Sequence, residues 1–255
     1  MTGAAAGVLF AAAAGLANVA GGGLVLLRRE WSQRGLKATL AFGGGFMMAA
    51  ALIGMVPESI APRSPELQHL AREWGAALIL IGYLIVHFLE HVVGGHYHFA
   101  GDQHGPDRVV STTVTGATLF AMLVHTFFDG VAIGSAFRVG EGLGLAVLMG
   151  VALHKVPAGF AVSTVVLASG ATRRRAFGAA ILMGVGTIVG SLVLSAAGRL
   201  AIYAVPISAG TLIHVAASDL IPEVNEGERW PITATVIAGG VLFLLVNILL
   251  GPAIH

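Results

Sequence analysis

Two stretches set ionisable side chains inside otherwise apolar sequence: Val124-His125-Thr126-Phe127-Phe128-Asp129-Gly130 and Leu153-His154-Lys155-Val156-Pro157-Ala158-Gly159. A charged group at the centre of a bilayer costs at least ~2.5 kcal/mol, so each needs a partner or a function. His125 and Asp129 are four residues apart and therefore share one face of a helix. His154 follows on the next hydrophobic segment. Two imidazoles and a carboxylate form a donor set suited to Zn²⁺ or a similar divalent ion. Lys155 lies about 18 Å from the start of its segment at the standard helical rise, too far for its ammonium to reach the interface. It requires an anionic partner or water, and Asp219 is one candidate. Pro157 has no N–H, which leaves the Leu153 carbonyl without its helical partner and predicts a bend just after His154.

The elements that must position these groups are membrane spans. The chain is 56% hydrophobic and 11% charged, with a mean hydropathy of +0.86. Soluble domains carry about 25% charged residues, so most of this chain is expected in lipid. Its apolar runs are continuous rather than alternating, which favours helices over a closed barrel. The reading is all-α: one polytopic transmembrane domain over 1–255, with eight spans at roughly 3–27, 38–60, 75–93, 113–137, 143–168, 176–198, 202–222 and 232–252. The first is read as a span rather than a cleaved leader. The 36 glycines suit close helix packing, and the absence of cysteine excludes disulfides and thiolate metal sites. A net charge of +1 gives no footprint for a nucleic-acid partner. Loops after the odd-numbered spans hold Arg28, Arg29, Arg34, Lys37, Arg108, Arg173, Arg174, Arg175 and Arg229; the other loops hold Arg63, Arg72, Arg138 and Arg199. The asymmetry predicts that both termini lie outside the cytoplasm.

Other candidates stand further along the chain. Met47, after Gly43-Gly44-Gly45, offers a thioether, though core filling explains a methionine equally well. His87, Glu90 and His91 share a face near the cytoplasmic end of span three and also spell His-x-x-Glu-His, a zinc-peptidase pattern. They lead into a cytoplasmic loop, 94–112, containing His96, His98 and His104. Asp219, on span seven with His214, reads as a vestibule residue or as an extra ligand.

Taken together, these residues resemble the ZIP (Zrt-/Irt-like) metal transporters. His125-x-x-x-Asp129-Gly130 is similar to the family's fourth-helix motif, and His154-Lys155-x-Pro157-Ala158-Gly159 to its fifth-helix motif. Pro57-Glu58 and Asp219-x-x-Pro222-Glu223 resemble its Pro-Glu signatures on helices two and seven. The resemblance implies a 3+2+3 helix arrangement, a homodimer in a plasma (inner) membrane, no enzymatic activity and no resident cofactor. It implies that His125, Asp129, His154 and Met47 are primary-site ligands, with water or Asp219 completing the shell. Family members with two metals place carboxylates and an amide where this chain has Thr126, Lys155, Ala158 and Thr187, so a single site is expected. The expected activity is transport of Zn²⁺, or of Cd²⁺, Fe²⁺, Mn²⁺ or Co²⁺, toward the cytoplasm. In the family's elevator mechanism, helices one, four, five and six slide against two, three, seven and eight. His87, Glu90, His91 and the loop histidines would form an exit relay. A metal sensor without flux and a His87/Glu90/His91 metallopeptidase are the rival readings.

Overall fold

The computed structural model describes residues 2–27, 30–62, 68–69, 71–92, 110, 112–194, 201–224 and 229–250. Among these residues every regular element is helical, as expected for this composition. In chain order they are α1 (Gly3–Gly23), α2 (Gln33–Ile60), α3 (Ala76–Val92), α4 (Thr112–Val139), α5 (Glu141–Ala168) and α6 (Arg173–Leu194). α7 starts as Ala201–His214 and continues through a wider π-helical turn, Val215–Leu220, into Ile221–Val224; α8 is Arg229–Leu250.

Seven helices among the described residues are long and apolar enough to cross a membrane, and α7 is not one of them. α2, α6 and α8 start earlier than their apolar windows suggest, at Gln33, Arg173 and Arg229. Ser32 caps α2 by accepting from the Gly35 amide, and polar first turns extend the helix beyond its apolar stretch.

Local chemistry sets the ends. Gly170 adopts φ 82° after α5 and stops it in the left-handed conformation that costs glycine nothing. The last carbonyls of the α1 rod, exposed by its short 3₁₀ turn Leu24–Leu27, are satisfied from outside: the Trp31 indole donates to the Val25 carbonyl at 3.2 Å and the Arg173 guanidinium donates to the Leu26 carbonyl. Gly140 alone separates α4 from α5. That one-residue joint makes them an antiparallel pair, so His125 and His154, nearly equidistant from it in sequence, arrive at matching depth.

Lipid supplies no hydrophobic drive between helices, so close backbone contact must do so. α1, α4, α5 and α6 pack on one another, while α2 pairs with α8 and α3 with α7. Within these groups the backbones touch. A Cβ on Gly190 of α6 would strike the Phe127 carbonyl of α4, one on Gly159 of α5 the Asn18 carbonyl of α1, and one on Gly210 of α7 the Ile79 carbonyl of α3. The three glycines of α2 face three different helices: Gly43 meets Ala161 of α5, Gly44 meets Leu220 and Ile221 of α7, and Gly45 meets the Val236 carbonyl of α8. α5 runs unbroken through Pro157, so the proline does not end the helix there.

Gly190→Val should therefore force α4 and α6 apart, at about the 1–3 kcal/mol typical of overpacking. The temperature at which the detergent-solubilised protein loses monodispersity should fall, whereas Gly116→Val, with nothing within 4 Å of its added carbon, should leave it unchanged. Equal behaviour of the two variants would contradict this packing.

Candidate metal centre

The centre is built on α4 and α5 and closed by α7. One helical turn separates His125 from Asp129 on α4, and α5 delivers His154 and Lys155 against them. All four side chains are buried. Asp129 Oδ2 lies 3.2 Å from His125 Nε2, 3.2 Å from His154 Nε2 and 2.9 Å from Lys155 Nζ. One atom from each of His125, Asp129 and His154 falls within 4.8 Å of the other two, the one such His/Cys/Asp/Glu group among the described residues.

These spacings have chemical content. A tetrahedral zinc with bonds of 2.0–2.1 Å keeps its ligand atoms about 3.3 Å apart, close to the 3.2 Å between the carboxylate oxygen and each imidazole nitrogen. His125 Nε2 has no hydrogen-bond partner, although Asp129 Oδ2 is near; the geometry is that of two ligands side by side rather than of donor and acceptor.

Lys155 is held as completely as its chemistry allows. An ammonium has three N–H bonds; here the three partners are Asp129, Thr126 Oγ1 at 3.3 Å and Thr187 Oγ1 at 3.3 Å. Thr187 in turn donates to the Met183 carbonyl. The anionic partner that Lys155 requires is thus Asp129, on the adjacent helix, and not Asp219. Thr126, Lys155 and Thr187 come together as one hydrogen-bonded group, while Ala158 is buried in the apolar core nearby on α5.

α7 contributes two residues that the motif pattern missed. Ser208 Oγ donates to Asp129 Oδ1, and His125 Nδ1 faces the Ser208 carbonyl at 3.1 Å and Thr211 Oγ1 at 3.3 Å. The available signal was the hydroxyl pair at i, i+3 on the same helix as His214.

Met47 is buried in the core of α2. Asp219 stands beside His214, with Oδ1 and Nδ1 3.9 Å apart. The His214 ring is also 4.8 Å from Tyr83 and 5.8 Å from His87, so α3 and α7 share a second, looser cluster. The side chains of Glu90 and His91, and His96, His98 and His104 with most of the 94–112 loop, lie outside the described residues.

Residues 100–248, which contain the whole centre, match the family described as ZIP Zinc transporter. The chain belongs to the ZIP zinc transporter family. Among curated ZIP relatives, human "Zinc transporter SLC39A7" is 32% identical over 145 residues, covering 50% of this chain but 30% of the relative. "Zinc transporter ZIP9" of Xenopus tropicalis is 25% identical over 245 residues and "Zinc transporter ZIP9-B" of Xenopus laevis 27% over 249, each covering 80% of both chains. The chain thus matches less than a third of the length of the mammalian relatives. With seven apolar helices, ZIP membership makes this a multi-pass membrane protein.

Removing one partner of a buried ion pair leaves an uncompensated charge, at about 3–5 kcal/mol. Lys155→Met and Asp129→Asn should each lower thermal stability in metal-free detergent, and the double variant should be markedly more stable than the sum of the two losses implies. Simple additivity in a thermal-shift cycle would show that the two do not interact.

Proposed function

We propose that this protein carries Zn²⁺, or a chemically similar divalent ion, across a membrane toward the cytoplasm through one site formed by His125, Asp129 and His154. The observation that carries the reading is the convergence of these three buried donors within 4.8 Å, with the carboxylate oxygen 3.2 Å from each imidazole nitrogen. The zinc transporters among its ZIP relatives support the cargo. Cd²⁺, Fe²⁺, Mn²⁺ and Co²⁺ fit the same donor types, and geometry and availability decide among them.

Lys155 makes the site mononuclear. Its ammonium shares the Asp129 oxygen that a cation would take, so the arriving ion displaces the Lys155–Asp129 contact and the ammonium stays with Thr126 and Thr187. Ala158 offers no carboxylate for a second ion. Met47 joins the three as a ligand, and a water or Asp219 completes the coordination shell.

The packing groups support an elevator: α1, α4, α5 and α6 move as one body, and α2, α3, α7 and α8 as the scaffold, within an eight-span, 3+2+3 homodimer of the plasma (inner) membrane whose termini lie outside the cytoplasm. On release the ion passes Asp219 and His87, then Glu90, His91 and the histidines at 96, 98 and 104 in the cytoplasmic segment 94–112.

Uptake of ⁶⁵Zn²⁺ or ¹⁰⁹Cd²⁺ into proteoliposomes tests the reading. Wild type should show saturable uptake, and His154→Ala should reduce it to the level of empty vesicles. Unchanged uptake in the variant would move the site off α4 and α5. Metal binding with no uptake by wild type would make the protein a sensor.

A further inference from the structure

We infer that Ser208 and Thr211 of α7 are positioning residues that set the metal affinity of the α4–α5 site, so that the site is tight only while α7 is in its present register against α4. The inference rests on the proposed site at His125, Asp129 and His154, and concerns residues that touch those ligands rather than the ion.

The argument starts from hydrogen-bond chemistry. A carbonyl oxygen can only accept, so the 3.1 Å contact between the Ser208 carbonyl and His125 Nδ1 requires the proton on Nδ1. The neutral ring then carries its lone pair on Nε2, the nitrogen beside Asp129 that has no hydrogen-bond partner. Thr211 Oγ1 reinforces this assignment. Its own hydroxyl proton is committed to the Ser208 carbonyl at 2.8 Å, so it presents a lone pair to Nδ1 at 3.3 Å. The Ser208 hydroxyl also lies 3.1 Å from His125 Nδ1; its proton goes to Asp129 Oδ1, so it too presents a lone pair to Nδ1, and Oδ2 is left as the oxygen that faces both imidazoles. Two residues on one turn of α7 thereby select the tautomer of one ligand and the exposed oxygen of another.

These bonds cross between packing groups. α4 packs on α1, α5 and α6 and equally on α7, which is itself joined at backbone level to α3. Sliding α4 along α7 by one helical turn, about 5.4 Å, would break all of them at once. His125 would lose its fixed tautomer and Asp129 its fixed oxygen, while the three ligands themselves moved together. Affinity would drop in the displaced register with no ligand removed, which is the change a carrier needs between capture and release.

The test is calorimetric titration of Cd²⁺ into the purified full-length chain in detergent, alongside the absorption spectrum of bound Co²⁺. Partners of metal ligands typically contribute 10–100-fold to affinity. Ser208→Ala should weaken Cd²⁺ binding by about that factor and change the intensity of the Co²⁺ ligand-field bands. Ser208→Thr, which retains the hydroxyl, should recover most of the affinity, and Thr211→Val should give a smaller loss. His154→Ala is the control for the site itself: if it leaves binding unchanged, the site is misplaced and the inference falls with it. If His154→Ala abolishes binding while Ser208→Ala and Thr211→Val match wild type in affinity and spectrum, the inference alone is overturned. Should Ser208→Ala fail to give monodisperse protein, Thr211→Val decides by the same criteria.

Discussion

One carboxylate governs the interior of this protein. Asp129 is fully buried in a bundle whose natural solvent is hydrocarbon, where an isolated charge is several kcal/mol out of balance. Its neighbours answer that imbalance: an ammonium from α5, a hydroxyl from α7 and the hydrogen-bonded His154 ring of α5, with the His125 ring of α4 alongside. Holding four groups around one side chain fixes three helices relative to one another. The glycine contacts on the outer sides of α4 and α5 serve the same end, because side chains this short can converge only if the backbones behind them approach closely.

The one-residue link between α4 and α5 explains why so small a constellation can be specified locally. An antiparallel pair with almost no loop has little freedom to shift in register. His125 and His154 therefore meet because of where Gly140 falls in the chain. The contribution of α7 is different in kind. Ser208 and Thr211 are more than 80 residues from His125 in sequence, and no local rule brings them there.

That contrast also describes what could be read from the chain beforehand. The helical class, the approximate limits of most helices among the described residues and the convergence of His125, Asp129 and His154 were legible, because continuous apolar runs and four-residue spacing are local signals. So was the need of Lys155 for an anion, which follows from its depth. The identity of that anion was not: Asp129 and Asp219 are equally acidic in sequence, and only helix packing separates them. The hydroxyls of α7 escaped notice for a related reason. Serine and threonine are common wherever membrane helices touch, so their spacing carries little information until the facing helix is known. The helix that carries them lies against α4 and closes the centre.

The lysine has a consequence for the protein when it is empty. In small zinc domains the ion is part of the folding energy, and the apo chain unfolds. Here Lys155 compensates Asp129 with a charge that belongs to the chain itself, so the stability of the bundle does not depend on a bound ion. An internal counter-ion holds α4 and α5 together whether or not a cation is present.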